Sequence, residues 1–544
     1  MRALAAGDSA VLLDLAGSGD PPRASEPETR EPETREPDEG SAAGLAAAIA
    51  AARLPGVLDV IPGACTVLVT VQPGSWDTGQ LAARLLDVPL RASEGAAATA
   101  AVEIGVCYDG PDLADVAALT GLSVGEVISR HHAAEYRVGW LGFLPGFGYL
   151  TGLDPALREV PRLDTPRLAV PAGSVAIAGG LAAVYPAGSP GGWRLLGRTD
   201  ARLWDQERLP PAVLAPGMRV RFRAVADLPA PGADVPGRDS AGPSAADLTL
   251  PARTIEVLQP GPLATIQDLG RPGLGHLGVP HSGAADAGSL RLANALVGND
   301  AGAAGLEVTL GRLGLRLRCD ALAAVTGAPL AVRLSAPDGA ALEPPQGSAF
   351  AAAAGSVLRL GSPRAGLRSY LAFDGGIDLV PVVGSRSSDL LSGLGPGPLR
   401  AGDLLPLGEP HAARPAKSGR AAGTQVDQGG EVELQVIAGP RHDWFLPEAL
   451  TALATDSYEV TAASNRTGLR LAGTPLRRRQ VAELPSEGMA TGSLQVAHDG
   501  QPILLLADHP TTGGYPVIAV VRSADVDRAA QLRPGQRVRF RLGQ

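Results

Sequence analysis

One β-rich unit occurs twice in the sequence, once in each half. Both copies contain, in the same order, a Gly-Ser phrase, a Gly-Gly-aromatic phrase and a closing phrase. These phrases are residues 173–178, 191–193 and 216–222 in the first copy, and 492–497, 513–515 and 534–540 in the second. A Pro-Gly turn followed by alternating Val or Phe and Arg is typical of a half-buried strand. Two distant copies indicate a divergent domain duplication and not a short-period repeat.

A chain of 544 residues is too long for one hydrophobic core, so several domains are expected. The 70 glycines, 48 prolines and 3% aromatic residues indicate many turns and short strands, hence a mainly β fold with α+β parts. The tandem EPETR repeat at 21–40 has almost no apolar residues, which predicts a disordered insertion. The predicted boundaries are an α+β domain at 1–100, a β domain at 101–225, a linker at 226–250, a β domain at 251–408, a linker at 409–430 and a last β domain at 431–544.

Composition excludes several classes of function. A net charge of −9 offers no basic footprint for nucleic acid. No run of 18 apolar residues and no signal peptide is seen, so a cytoplasmic protein without a membrane partner is expected. Lys417 is the single lysine, which excludes a lysine-containing phosphate loop, a biotinyl carrier lysine and a Schiff base within this sequence. Cys65, Cys107 and Cys319 have no metal-binding spacing and are interpreted as reduced thiols.

Capping residues and apolar periodicity predict two helices. A helix from Ser123 to His132 is predicted, with Ser123 as N-cap and Glu126 completing a capping box. Positive charge at a helix end suits the helix dipole, so a structural role is favoured for the histidines that close this helix. Residues 287–296 form a second predicted helix, because their apolar positions fall on one face.

The strongest candidate site lies at 501–517. An apolar run at 503–507 predicts a buried strand, and polar residues follow it at once. They are Asp508, His509, Thr511, Thr512, Gly513, Gly514 and Tyr515. Glycines let backbone N–H groups approach a ligand, and successive N–H groups form an anion-binding concavity. The alternative is that Asp508 and the threonines only cap a tight turn.

A second candidate surface lies in the first β unit. Phe143 and Phe147 belong to the phrase GFLPGFGYL, which is dense in aromatics for a sequence so poor in them. This phrase is either a core turn or an apolar wall for a small ligand. Arg162 and Arg167 follow prolines in stiff turns, which suits recognition of a carboxylate or phosphate.

These phrases carry a family resemblance. GFLPGFGYL, VPAGSVAIAG and SPGGWRLLGRTD resemble the B subunit of prokaryotic 5-oxoprolinase, and TIQDLGRPG, GVPHSGAAD, LANALVGN, SNRTGLRL, LPSEG and ADHPTTGGYP resemble its C subunit. Their order indicates a natural B–C fusion. The same domains form the carboxyltransferase region of urea amidolyases, and the pair is also known as a sporulation-kinase inhibitor and its antagonist.

The resemblance implies cyclophilin-like β-barrels and an ATP-dependent opening of 5-oxo-L-proline to L-glutamate. It also implies a separate A subunit as partner and a small-molecule substrate, and it allows a homo-oligomer. ATP and Mg²⁺ are the expected cofactors, without assigned metal ligands. Thr467 and Ala285 depart from the family, which usually has Met at both positions; the smaller side chains would reshape a pocket wall.

Residue type suggests roles for the chemistry that the family implies. Asp508 and Glu487 are the candidate carboxylates, His509 the acid or base, Arg466 and Arg271 the anion ligands, and Gly513 and Gly514 the N–H donors. Further candidate binding residues are Asp286, Asn465, Thr511, Thr512, Tyr515, Phe143, Phe147, Gly191 and Gly192.

Two alternatives stay open. One is the carboxyltransferase part of a urea amidolyase system, with a biotin carrier supplied by another protein. The other is a regulator of a sensor histidine kinase, although a fused inhibitor and antagonist would be present in fixed ratio. A neighbouring gene for an A subunit would favour the 5-oxoprolinase, and one for a biotin carboxylase would favour the urea system.

Overall fold

The structure is a computed structural model that describes residues 1–16, 42–88, 101–163, 165–228, 252–410, 430–480, 482 and 484–543. The predicted insertion at 21–40, and most of the linkers predicted at 226–250 and 409–430, lie outside these ranges. Within them, no helix combines the length and apolar character needed to cross a membrane.

The first unit is a small α+β layer. Its elements are β1 (Arg2–Ala5), β2 (Ala10–Asp14), α1 (Ala42–Ala52), β3 (Val57–Pro62), β4 (Thr66–Val71) and α2 (Thr78–Leu86). The four strands form one sheet in the order β1-β2-β4-β3. Leu45, Ile49, Leu81 and Leu85 of the two helices bury their side chains in the core of this sheet. Asp77 caps α2 by accepting a hydrogen bond from the Gln80 N–H at 3.0 Å.

The second unit is a seven-stranded sheet that curls into a barrel. Its elements are β5 (Val102–Val106), α3 (Leu113–Thr120), α4 (Val124–Ala133), β6 (Tyr136–Leu141), β7 (Gly148–Thr151), a 3₁₀ turn (Pro155–Leu157), β8 (Arg167–Val170), β9 (Ser174–Ala178), β10 (Leu181–Val184), β11 (Ser189–Gly191), β12 (Arg194–Arg198) and β13 (Arg219–Ala224). The order is β12-β9-β10-β7-β6-β13-β5, and a bridge between Cys107 and Arg198 joins its ends. The predicted capping box of α4 is confirmed.

The third unit packs two sheets around one core. Its elements are β14 (Thr254–Gln259), β15 (Leu263–Gln267), a 3₁₀ turn (Gly275–Leu277), α5 (Ala287–Val297), β16 (Gly305–Thr309), β17 (Gly314–Leu317), β18 (Ala321–Gly327), β19 (Val332–Ser335), β20 (Ala341–Leu342), β21 (Ala349–Ala352), β22 (Val357–Leu360), β23 (Arg368–Phe373) and β24 (Leu404–Pro406). The sheet orders are β20-β19-β22-β17-β14-β24 and β15-β16-β23-β18-β21. Helix α5, predicted at 287–296, packs on β18 and β23.

The fourth unit is a closed barrel. Its elements are β25 (Val432–Ala438), a 3₁₀ turn (His442–Trp444), α6 (Pro447–Thr455), β26 (Ser457–Val460), β27 (Gly468–Ala472), β28 (Glu487–Gly488), β29 (Ser493–Val496), β30 (Pro502–Leu505), β31 (Thr512–Gly513), β32 (Val517–Val521), α7 (Ser523–Ala529) and β33 (Arg537–Leu542). The strands follow each other around the barrel as β25-β32-β29-β30-β27-β26-β33.

The second and fourth units are two copies of one topology, which confirms the predicted duplication. In each, the first strand runs parallel to the last, β5 with β13 and β25 with β33. In each, a separate two-stranded ribbon stands beside the barrel, β8 with β11 and β28 with β31. The two closing strands have the same alternation of buried and exposed side chains. The mainly β fold with cyclophilin-like barrels is therefore confirmed.

Two carboxylates, the buried Asp59 and the half-buried Asp527, join the units. Asp59 of β3 accepts hydrogen bonds from the N–H groups of Gly273 at 3.0 Å and Gly275 at 2.8 Å. Asp527 of α7 accepts from the first two N–H groups of α5, at 3.0 and 2.9 Å. Charge-assisted bonds of this kind are stronger than neutral ones, so they fix how the units face each other. These bonds join the first unit to the third and the third unit to the fourth, and the second unit meets the third and fourth through Gly142 and Gly146. The four units therefore meet at one junction.

Candidate functional site

The junction is formed by a loop of the first barrel that inserts between the third unit and the second barrel. In this loop, residues 142–147, the Gly146 N–H donates to the carbonyl of Leu277 at 3.1 Å. On the other side, a Cβ added to Gly142 would lie 2.7 Å from Thr512. The Tyr149 hydroxyl lies 3.1 Å from the Thr512 hydroxyl. The loop 506–516 of the second barrel is thus in direct contact with the aromatic phrase of the first.

The aromatic phrase builds a continuous apolar wall. Trp140 and Tyr149 stack with ring centroids 4.4 Å apart. The Phe147 ring meets Tyr149, Tyr185 and Trp193 edge to face, at 4.9, 5.3 and 5.8 Å. Edge-to-face pairs stabilise beyond the area they bury. All five rings are buried in one hydrophobic cluster, so the wall is rigid and preformed and the phrase is a core turn of the first barrel. A role of this wall in binding a ligand stays a prediction.

The predicted binding residues of the first barrel all belong to this wall or border it. Phe143 adopts a left-handed backbone, with φ of 64°, and its ring contacts Phe147 and Tyr185. Gly191 is forced to be glycine, because a Cβ there would lie 2.4 Å from the Tyr185 hydroxyl. The carbonyl of Gly192 accepts a hydrogen bond from the Leu163 N–H at 2.7 Å. This last contact positions the chain next to Arg162.

Arg162 crosses from the first barrel to the glycine pair of the second. A Cβ added to Gly514 would lie 2.2 Å from its Nη1 atom, so the guanidinium rests on the glycine backbone. Beside it, a Cβ on Gly513 would lie 2.6 Å from the amide nitrogen of Gln495. A guanidinium and a side-chain amide here converge on a stretch of backbone. Such a set of donors suits a carboxylate or phosphate.

Asp508 is saturated with hydrogen bonds. It accepts from Arg466 Nε and Nη2, both at 2.9 Å, from the Ser282 hydroxyl at 2.7 Å and from the Leu390 N–H at 3.1 Å. Its side chain is fully buried. In this structure Asp508 anchors the loop 506–516 to the third unit, and its role as a catalytic carboxylate stays a prediction.

Arg466 joins two carboxylates of different units. Besides Asp508 it donates to Glu307 and, at 2.6 Å, to the carbonyl of Gly283. Glu307 also accepts from the Tyr370 hydroxyl at 2.8 Å. Burial tends to lower the pKa of Arg466, but attraction from Asp508 and Glu307 outweighs it and holds that pKa well above its ordinary value. Arg466 is thus the permanently charged centre of a buried network.

Glu487 forms a second interdomain network. Arg441 donates from Nε to both Glu487 oxygens, at 2.9 and 3.1 Å, and from Nη1 to Asp14 of the first unit at 2.9 Å. Burial lowers the pKa of Arg441, but hydrogen bonds and attraction from Glu487 and Asp14 raise it further, above its ordinary value. Glu487 pairs with Gly513 across the β28–β31 ribbon, so this network supports the glycine pair from behind.

His509 lies buried within the loop 506–516. Its Nδ1 is 2.8 Å from the Pro510 carbonyl, which can only accept, so Nδ1 donates and Nε2 accepts from the Thr491 hydroxyl at 3.1 Å. Burial lowers its pKa to about 4. Such an imidazole is neutral near pH 7 and cannot act there as a general acid; a role as base stays a prediction.

The pKa of His509 predicts a pH-dependent stability. The unfolded imidazole takes up a proton below about pH 6.5 and the folded one only near pH 4, so stability falls as pH falls through this window. The expected loss is on the order of 1.4 kcal/mol per pH unit relative to a His509→Gln variant. Urea unfolding of both proteins at several pH values measures the difference between their free energies of unfolding. A difference that stays constant from pH 4 to 6.5 would contradict the prediction.

Three other predicted residues make hydrogen bonds that hold the surrounding backbone, and a fourth, Thr511, does not do so through its hydroxyl. Arg271 donates to the carbonyls of Val382 at 3.1 Å and Ser387 at 2.6 Å. Asp286 caps α5 by accepting from Ser289. Exposed Asn465 accepts from the Thr467 N–H at 2.8 Å and closes a turn. The Thr511 hydroxyl is buried and has no hydrogen-bond partner among the described residues.

Tyr515 lies at the outer edge of the site. Its ring meets His498 edge to face at 5.7 Å, and the Arg478 guanidinium lies 5.9 Å from its centroid. Its carbonyl accepts from the Gln495 amide at 3.4 Å. Tyr515 thus borders the glycine pair and contacts His498, Arg478 and Gln495.

Sequence reasoning did not select several residues that the structure brings to the junction. They are Tyr149, Ser282, Glu307 and Arg441. Glu307 carried a usable signal, because a charge within the apolar strand phrase GLEVT requires a buried partner. Tyr149 and Ser282 carried none, since hydroxyl groups are common in turns and strands alike.

The candidate carboxylates do not fit a metal ion. Both Asp508 and Glu487 are paired with arginines, and the described residues contain no grouping of three or more His, Cys, Asp or Glu side chains suited to a metal. Asp508 and Glu487 are therefore not ligands for Mg²⁺ in this arrangement.

Comparison with known proteins places the chain in a family. Residues 1–214 match the model "Carboxyltransferase domain, subdomain C and D", and residues 277–542 match "Carboxyltransferase domain, subdomain A and B". The 5-oxoprolinase C subunit of Escherichia coli K12 is 40% identical over 289 residues, which are 53% of this chain and 90% of that protein. The 5-oxoprolinase B subunit of Escherichia coli O157:H7 is 51% identical over 124 residues, 22% of this chain and 56% of that protein.

A solved structure shares the whole arrangement. The crystal structure of TTHA0988 superposes with a TM-score of 0.80 and 36% identity, covering 98% of this chain and 99% of that one. The order of the four units is therefore found in another single protein. The chain belongs to the carboxyltransferase-domain family of 5-oxoprolinase subunits, and it fuses a B-like half to a C-like half.

Proposed function

We propose that the chain is a component of an ATP-dependent 5-oxoprolinase, which opens 5-oxo-L-proline to L-glutamate together with a separate A subunit. The relatives named as the B and C subunits of 5-oxoprolinase support this proposal, since both are represented here in one polypeptide. The observation that carries it within the molecule is the junction of the two barrels, where Arg162 and the glycine pair of Gly513 and Gly514 adjoin the aromatic wall.

The shape of the substrate matches this junction. 5-Oxoproline has a carboxylate, a flat lactam and an apolar edge of ring methylenes. In the proposal, Arg162 and the backbone around Gly514 bind the carboxylate, and the wall around Tyr149 packs against the ring. The hydroxyls of Tyr149 and Thr512 then donate to the lactam oxygen.

The reaction needs activation because an amide is a poor electrophile. Transfer of the terminal phosphoryl group of ATP to the lactam oxygen makes the ring carbon reactive. Water adds to that carbon, and the ring C–N bond breaks with protonation of the nitrogen, which leaves a γ-glutamyl phosphate. A second water cleaves this acyl phosphate, so that glutamate, ADP and phosphate result. Donors fixed in a dry site stabilise the charge that develops on the oxygen. His509, neutral with an acceptor at Nε2, is the proposed base for the attacking water.

A reconstitution experiment tests the proposal. The purified chain is mixed with a candidate A subunit encoded in the same genome, and 5-oxoproline-dependent phosphate release and glutamate formation are followed. Both products are expected only when the two proteins are combined, and a His509→Ala variant is expected to lose them. Normal glutamate formation by the variant would keep the function and remove His509 from the site. Absence of glutamate with every A subunit tried would overturn the function.

A urea amidolyase-type role is the second candidate. The urea amidolyase of Lachancea kluyveri is 32% identical over 309 residues, 52% of this chain and 17% of that protein, which supports an activity on another small amide. In that case the chain would act with a biotin carrier and a carboxylase from other proteins. Urea-dependent ATP hydrolysis with such partners, and no response to 5-oxoproline, would favour it. A kinase regulator has no comparable support among the residues of the junction.

A further inference from the structure

An exposed apolar loop stands out on the third unit. Residues 379–383 read LVPVV, and the Val380 side chain is 87% exposed. Pro381 is also exposed, and the other three are half-buried. Runs of consecutive apolar residues at the surface of a folded protein favour aggregation unless they serve a contact. We call residues 379–383 the apolar loop.

The apolar loop is held in one conformation. The Val382 N–H donates to the Ser385 carbonyl at 2.8 Å, and the return bond is 3.3 Å. Val383 has a φ of 52°, in the left-handed region that β-branched residues avoid. Strain of this kind persists only where the surroundings enforce it, and it clusters at binding and switch regions.

Two buried charged side chains enforce it. Arg271, 1% exposed, donates to the carbonyls of Val382 and Ser387 on either side of the turn. Asp268 accepts from the Ser385 hydroxyl at 2.6 Å and from the Arg386 N–H at 2.7 Å. Burying a charge costs free energy, and here the buried charges of Arg271 and Asp268 both form hydrogen bonds to the base of the apolar loop. The result is a preorganised apolar tip, which loses little entropy on binding.

The loop is continuous with the junction of the barrels. A few residues further on, the Leu390 N–H donates to Asp508 at 3.1 Å. Leu391, like Phe143, packs against the aromatic wall. A protein bound at the tip would therefore sit next to the site, and a shift of the segment would reach Asp508 directly.

We propose that the apolar loop docks the partner subunit that completes the enzyme, by inserting Val380 and Pro381 into an apolar pocket of that subunit. This inference rests on the proposed function, because it assumes a separate subunit. Binding to a second copy of this chain is the competing outcome, which sedimentation of the chain alone detects.

The test is a Val380→Asp variant with a matched control. Leu168 is 93% exposed on the first barrel, so Leu168→Asp adds the same charge at an equally exposed apolar residue away from the loop. Binding of each full-length protein to a candidate A subunit from the same genome is measured by calorimetry, alongside glutamate formation. Val380→Asp is expected to weaken binding at least about tenfold and Val380→Ser to weaken it less, while Leu168→Asp binds like the parent.

Each outcome bears on the proposal. Circular dichroism and thermal unfolding must match the parent for all three variants, as expected for exposed side chains. Parent-like binding and glutamate formation by Val380→Asp would overturn the docking role and leave the proposed function intact. A change in sedimentation of the chain alone, without loss of subunit binding, would assign the loop to self-association. If the parent neither binds any A subunit nor forms glutamate, the proposed function fails, and the docking role fails with it.

Discussion

Replacing Arg466 with methionine is expected to destabilise the protein by about 3–5 kcal/mol. The substitution leaves Asp508 and Glu307 buried within one network without their shared cation, and each is fully or almost fully inaccessible. Because the network joins the third unit to the second barrel, the two are expected to separate at a lower temperature. Scanning calorimetry and limited proteolysis at the junction measure this.

The control for Arg466 lies four residues along the chain. Arg470 is exposed on β27, so Arg470→Met removes an equal charge and adds the same side chain without exposing a buried carboxylate. Its unfolding midpoint is expected to stay near that of the parent, since exposed charges contribute little. Equal midpoints for the two variants would show that the buried network adds nothing to stability.

Replacing Arg162 with alanine is expected to lower kcat/KM for 5-oxoproline on the order of 10- to 100-fold in the reconstituted enzyme. A hydrogen bond to a charged group is worth about 1.5–3 kcal/mol, and this residue is the proposed ligand of the substrate carboxylate. The loss is expected mainly in KM, because the carboxylate is bound equally before and during the reaction. Steady-state kinetics over a range of 5-oxoproline concentrations separates the two constants.

Two further variants sharpen the Arg162 prediction. Gly514→Ala places a methyl group where the guanidinium rests, so it should raise KM while the protein keeps its arginine and its fold. Arg202→Ala removes an exposed arginine of the same barrel and should leave KM unchanged. If Gly514→Ala and Arg162→Ala both have normal KM values, the substrate carboxylate binds elsewhere.

Local and periodic features of the fold were predictable from the sequence. The capping box of α4 involves residues three apart, so both partners are visible in one short phrase. The closing strands β13 and β33 alternate apolar and charged residues, and a strand places alternate side chains on opposite faces. The repeated order of phrases then predicted two related barrels. These features depend on spacing, which a sequence displays directly.

Site residues were predicted by type but not by partner. Asp508, Glu487, Arg466 and Arg271 were all selected as charged residues in conspicuous phrases, and all are buried in the structure. The sequence alone did not show that both carboxylates, Asp508 and Glu487, form ion pairs with arginines. It also could not tell that Arg271 donates to two carbonyls at the base of an apolar loop; its role as an anion ligand stays a prediction. The energetics of a buried charge depend on which opposite charge lies beside it.

What the sequence determined by itself is the duplicated β unit, the family and the phrases around which a site is built. What only the tertiary structure decided is which phrases meet. Tyr149 and Thr512 lie 363 residues apart, Asp14 and Arg441 lie 427 apart, and Glu307 and Arg466 lie 159 apart. No local rule pairs residues over such separations. Hydrogen bonds and ion pairs act only over short distances in space, and any hydroxyl or carboxylate in the chain is a possible partner for a given donor. Packing of the four units selects the partners.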